Sequence, residues 1–122
     1  MTAKETVRRY FDALEHKNNW DSLLADDMSF TSHTSPNKQL RGRDAFLQST
    51  NRFYSMVRSL DVRELIGEGD HVCALTRYEL QPPAGPAFTS DVAEIFVVKN
   101  DRIAEFDIVF DSAPYPKPAA TT

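Results

Sequence analysis

Glu94 lies in a run, Phe88 to Lys99, that alternates as a strand does, and the alternation sets it on one face with Val92, Phe96 and Val98. A carboxylate among such neighbours is poorly solvated, which disfavours its charged form and raises its pKa. It can then stay protonated and donate a hydrogen bond to a developing enolate, or act as a base near neutrality. The same placement suits an internal structural carboxyl tied to Tyr10, Tyr78 or an arginine. The residues leave both readings open.

Tyr10 and Tyr78 are candidate hydroxyl donors toward the same interior, with Ser32 and Thr76 as smaller polar groups beside them. A core aromatic with a locally satisfied hydroxyl is the alternative for each tyrosine. Strand parity turns His33 and His71 away from the inner face, although a bend or bulge after Ser32 would bring His33 to a pocket rim, where it would serve as a base. His16 reads as a solvent residue at a helix end. The candidate catalytic set is therefore Glu94, Tyr10, Tyr78 and His33. Trp20, Phe30, Ser32, Tyr54, Thr76, Val92, Phe96, Phe106, Ile108 and Phe110 are expected to line the site. No histidine and carboxylate share a metal-ligand spacing, and there is no glycine-rich phosphate loop or serine elbow, so neither metal nor cofactor is expected.

These groups need elements to hold them. Thr2 and Glu5 have the spacing of a capping box, and Val7, Tyr10, Phe11 and Leu14 follow at helical intervals. After a polar break at His16–Asn19, Trp20, Leu23 and Leu24 suggest a short second helix, with Asp26-Asp27 as the turn into a strand that starts at Met28. Ser35-Pro36-Asn37 breaks that strand, and Phe46, Phe53, Met56 and Val57 predict a third helix over about Asp44 to Val57. Four strands follow, separated by Gly67-Glu68-Gly69-Asp70, by the proline-rich stretch Pro82 to Pro86, and by Asn100-Asp101. Three hairpins in a row predict an antiparallel meander. Val72, Ala74, Thr76, Tyr78 and Leu80 face inward on one strand, and Phe106, Ile108 and Phe110 on the last. Asp107 and Asp111 fall on the opposite face.

A chain of 122 residues with 41% hydrophobic side chains suits one domain, expected over 1–112, with a loose proline-rich tail over 113–122. The formal charge of −4 supplies no basic stripe for nucleic acid or an anionic membrane. Cys73 is the only cysteine, so no intrachain disulfide forms, and with no apolar run resembling a leader or a span the expected setting is soluble and cytoplasmic. Leu75, Ala93, Ile95, Val97 and Val109 would leave an apolar patch on the outer sheet face. A homodimer through the sheet is therefore expected.

The order of elements, with Val7-Arg8-Arg9-Tyr10-Phe11, Leu24-Ala25-Asp26-Asp27, Arg41-Gly42-Arg43-Asp44-Ala45-Phe46 and the ending Val98 to Ile103 through Val109-Phe110-Asp111, resembles the nuclear transport factor 2-like superfamily, in its SnoaL-like branch. The resemblance covers about Glu5 to Asp111. It implies an α+β fold: a cone-shaped, mostly antiparallel sheet with three N-terminal helices enclosing a pocket. The superfamily includes ketosteroid isomerase, limonene epoxide hydrolase, scytalone dehydratase and polyketide cyclases, and also members that only bind, so the fold leaves function open.

Carried over by position, the isomerase's general base falls on Ser32, which cannot serve unaided, and its oxyanion hole falls on Tyr10 and Glu94, kept in type. The epoxide hydrolase's Asp-Arg-Asp set falls near Thr76, Tyr78 and Ile108, and its water ligands near Phe30 and Ser32. The cyclase pair falls on Glu94 and Ile108. The resemblance thus implies cofactor-independent isomerase, cyclase or dehydratase chemistry on an apolar carbonyl or polyketide-like compound, or simple binding of a hydrophobic small molecule.

Overall fold

The computed structural model describes residues 1–34 and 37–115. Helix α1 (Ala3–Glu15) opens as the capping-box spacing predicts, with the Thr2 hydroxyl oxygen accepting from the Glu5 backbone amide at 3.1 Å. Strand β1 (Leu24–Ser32) and a short β2 (Lys38–Arg41) form a hairpin, helix α2 spans Arg43–Met56, and the meander β3 (Val57–Glu68), β4 (His71–Leu80), β5 (Phe88–Lys99) and β6 (Arg102–Phe110) completes the chain. The order across the sheet is β2-β1-β6-β5-β4-β3. Every pairing is antiparallel except β1 with β6, which is parallel and joins the two ends of the chain.

Two α-helices are present among the described residues, not the three expected. The second became a four-residue 3-10 turn, Trp20–Leu23, entered through Asn19 in the left-handed region at φ 54°. Leu24 is already extended, so too few residues remain for an α-helical turn to close. Asp26 and Asp27 lie inside β1 rather than in a turn. There the pairing with β6 shifts register between Leu24 and Ser29, and Asp26 reaches Arg43 at 2.9 Å. Strand β2 was not foreseen: Lys-Gln-Leu-Arg at a sheet edge shows no apolar alternation.

The meander forms as its turn chemistry predicts. Asn100 and Asp101 both take positive φ, 52° and 60°, as the two central residues of a tight hairpin joining β5 to β6. The inner face of the sheet is built in cross-strand rows. Val72, Phe96, Phe106 and Phe30 make one row, Ala74, Glu94, Ile108 and Ser32 the next, and Thr76, Val92 and Phe110 a third. Helix α1 packs on the first row, and the rings of Phe96 and Phe106 meet at 4.5 Å. No helix among the described residues is long and apolar enough to cross a membrane.

Of the stretch expected as a tail, 113–115 lie within the described residues. Tyr115 folds back with its hydroxyl 2.8 Å from Ser90 Oγ and its ring against Phe88 and Phe110. An aromatic against the apolar ends of β5 and β6 buries surface that would otherwise face solvent, which favours this return. The remainder of the expected tail, 116–122, lies outside the described residues.

Candidate functional site

A cavity of about 300 Å³ opens between α2 and the concave face formed by β1, β5 and β6. Of the residues expected to line it, Phe30, Ser32, Tyr54, Val92, Phe106, Ile108 and Phe110 do so, and so does Glu94. Its remaining wall comes from Thr34, Lys38, Phe46, Ser49, Thr50, Phe53 and Tyr115. Five of these seven were missed because they lie on α2 or the tail, where no period-2 alternation marks an inward face; Thr34 and Lys38 flank the strand break. A wider recess of about 970 Å³ along β1 and β6 is lined by exposed charges of both signs, including Asp26, Arg41, Lys99 and Glu105.

Glu94 is 3% exposed. Ala74 is its cross-strand neighbour, and the small methyl leaves space for the carboxyl to lean toward Thr76 and Tyr78 farther along β4. The Tyr78 hydroxyl donates to Oε1 at 2.6 Å and the Thr76 hydroxyl donates to Oε2 at 3.1 Å. Burial raises the Glu94 pKa to about 7, with the two hydroxyls pulling the other way by stabilising the carboxylate. None of the ion pairs among the described residues involves Glu94. Its charge is thus held by neutral donors alone.

Tyr78 and Thr76 do not line the cavity; they stand behind Glu94 as its supports. Burial, and then the facing Glu94 charge, push the Tyr78 hydroxyl well above the usual range, so it stays a donor. Tyr10 is likewise fully buried, and its hydroxyl lies 2.8 Å from that of Tyr54. When Tyr10 donates in that pair, the Tyr54 proton is free to point into the cavity. Trp20 lies over Tyr54 with ring centroids 4.3 Å apart and, like Phe96, packs behind the wall rather than in it. The hydroxyl pairing of Tyr54 had no signal in the sequence, because it joins residues 44 positions apart on two helices.

His33 is outside the cavity. The bend that would carry it to the rim does not form: the β1–β6 ladder runs without a bulge from Ser29 to Ser32, and His33 N–H continues it by donating to the Ile108 carbonyl at 3.0 Å. Parity therefore holds, and the imidazole meets Asp107 at 3.3 Å on the outer face. Among the described residues no three His, Cys, Asp or Glu side chains cluster as a metal site would require.

The supporting role of Tyr78 is measurable. A hydrogen bond to a charged group is worth about 1.5–3 kcal/mol, so Tyr78→Phe is expected to raise the Glu94 midpoint by about one to two pH units. A carboxyl-carbon NMR titration reads it. A midpoint unmoved by the substitution would show that the 2.6 Å contact does not hold the carboxylate.

Residues 7–106 match the family described as the SnoaL-like domain. No curated protein matches the chain. Solved structures resemble it closely in fold at low identity. An NTF2-like protein from Burkholderia thailandensis superposes with a TM-score of 0.79 at 18% identity, covering 93% of this chain and 94% of the other. A proposed SnoaL-like polyketide cyclase from Jannaschia sp. CCS1 gives 0.77 at 18%, covering 95% and 93%. A proposed ketosteroid isomerase from Kribbella flavida gives 0.72 at 18%, covering 96% and 83%. With the family match spanning most of its length and the two-helix, six-strand curved sheet in place, this chain belongs to the SnoaL-like domain family and has the NTF2-like fold.

Proposed function

We propose that this protein is a small-molecule enzyme performing cofactor-independent acid–base chemistry, of isomerase, cyclase or dehydratase type, on an apolar carbonyl compound. One observation carries the reading: a buried carboxyl, its pKa raised to about 7, forms part of the wall of a cavity whose other lining groups are apolar or hydroxyl-bearing except for Lys38. A general base is most effective when its pKa lies near the working pH, because it is then both available and strong enough. Glu94 takes a proton from the carbon next to the carbonyl and returns it elsewhere, while Tyr54, backed by Tyr10, donates to the developing oxyanion. Tyr78 and Thr76 keep the carboxylate aimed.

The test uses 2-tetralone, an apolar ketone with acidic α-protons, incubated in D2O and followed by NMR. The protein is expected to accelerate α-deuterium incorporation, with a rate that rises through about pH 7 and then levels as Glu94 ionises. No acceleration for it or for a panel of related enolisable ketones would remove the enzymatic reading.

A second reading, a binding protein for a hydrophobic small molecule, is favoured by one specific feature. Ser32 stands in the wall where the resemblance puts the isomerase's base, and Glu94 is the single carboxyl among the lining residues, with no histidine beside it. Retention of 2-tetralone without exchange would select that reading.

We also propose a homodimer through the outer sheet face. Leu75, Ile95 and Val109 are 40%, 44% and 49% exposed on adjacent strands, a cluster that water solvates poorly. The Arg77–Asp91 and His33–Asp107 pairs lie on the same face. Ile95→Glu is expected to convert a dimer to a monomer in sedimentation velocity, and a chain that is monomeric before the substitution would refute the assignment.

A further inference from the structure

The inner rows of the sheet connect Glu94 with a second chemical group. Glu94 pairs with Ile108, Ile108 with Ser32, and Ser32 with Lys38, so the carboxyl and the lysine share one cross-strand row across β5, β6, β1 and β2. Three strand spacings separate them, roughly 14 Å along a sheet. Lys38 is exposed, and its Nζ donates to Ser49 Oγ on α2 at 2.8 Å; both residues line the cavity. Among the described residues it is the one cationic side chain that does so. Thr34 and Thr50 bring further hydroxyls to the lining. Glu94 is buried, and Phe30, Phe106 and Ile108, on the strands between it and Lys38, line the cavity.

A ligand that fills this space must match three zones in order. We propose that the cavity selects small keto or hydroxy acids: an oxygen function at Glu94, an apolar body of one or two fused rings, and a carboxylate at the opposite end held by Lys38 and Ser49. The size follows from the volume, since about 300 Å³ is the space of roughly ten water molecules. The charge follows from Lys38, a flexible ammonium with donors to spare after bonding Ser49. A cationic ligand is disfavoured at the same point. The inference rests on the reading of the cavity as a small-molecule site and extends it to the charge and polarity of the molecule.

Binding without turnover separates the two. The probes are 6-hydroxy-2-naphthoate, which has a hydroxyl and a carboxylate at opposite ends of a flat apolar body, neutral 2-naphthol, and 6-(aminomethyl)-2-naphthol as the opposite charge. Affinities are measured by fluorescence at pH 6. The carboxylate is expected to bind about three- to fivefold tighter than 2-naphthol, a range set by a partly exposed ion pair, and the amine more weakly than either. The preference should shrink in 0.5 M salt. Lys38→Gln should bring the carboxylate-to-naphthol ratio to about one, and Lys38→Arg should restore it. Equal affinities in the unaltered protein, or a ratio that survives Lys38→Gln, would overturn the inference while leaving the small-molecule reading standing. If the unaltered protein binds none of the three, both fall together.

Discussion

Glu94→Gln is expected to lower the rate of α-deuterium incorporation into 2-tetralone by roughly 10²–10⁴-fold, the usual contribution of a positioned general base. The amide keeps the size of the carboxyl and can still accept from Tyr78, so the wall of the cavity is preserved while the transferable proton site is lost. The residual rate should also lose its rise through about pH 7, because no group with that pKa remains in the lining. An exchange rate and pH profile unchanged from the parent protein would assign the chemistry elsewhere, or nowhere.

The same substitution has a second consequence, in stability. The folded-state pKa of Glu94, about 7, lies above its ordinary value of 4.5. Between those two pH values the native state holds a proton that the unfolded chain has released, so stability falls as pH rises through the window. Below pH 4.5 both states are protonated and burial carries no ionic penalty; above pH 7 the full penalty applies. It amounts to roughly 3 kcal/mol. Relative to the parent, Glu94→Gln should therefore gain stability in urea denaturation on going from pH 4.5 to pH 8. Equal pH dependence in the two proteins would show that Glu94 carries no raised pKa.

Phe106→Ala is expected to cost about 3–5 kcal/mol of folding stability, the range for removing a buried phenylalanine. Phe106 is 1% exposed and occupies the centre of the molecule's aromatic network: its ring lies within 4.5–6.1 Å of those of Phe96, Phe30, Phe46 and Tyr10. It joins α1, α2 and three central strands. Domains of this size have total stabilities of about 5–15 kcal/mol, so the variant would lie at or near the edge of folding. Thermal denaturation with circular dichroism measures it; a loss under about 1 kcal/mol would mean that the neighbouring rings collapse into the space, contrary to a tightly packed centre.

The parts of the fold legible in the sequence were those governed by local chemistry. Period-2 alternation placed Val72, Ala74, Thr76, Tyr78 and Leu80 inward, and all five are buried; it likewise identified Glu94 as an inward carboxyl. Asn100-Asp101 marked a hairpin because few other residues tolerate two successive positive φ values. The parts not legible depended on partners distant in the chain. Trp20–Leu23 has apolar residues at helical intervals, yet the preceding left-handed Asn19 and the following strand confine it to a 3-10 turn. Strand β2 exists because β1 offers it a free edge, which Lys-Gln-Leu-Arg does not announce. Tyr115 follows a proline and precedes another, and it is the rings of Phe88 and Phe110 together with the Ser90 hydroxyl, distant in the chain, that explain its return to the sheet.

The single parallel pairing, β1 beside β6, has a consequence for biosynthesis. The hollow takes Phe30 and Ser32 from one end of the chain and Phe106, Ile108 and Phe110 from the other, and only that pairing brings them side by side. Contacts between such distant segments form late, since a long loop must close before they contribute. A nascent chain that has not yet reached β6, and so ends before Arg102, can therefore complete a β3–β5 meander but lacks the β6 wall of the chamber. On the proposed reading of the cavity as a small-molecule site, a compound that fits it would stabilise the product of the final closing step.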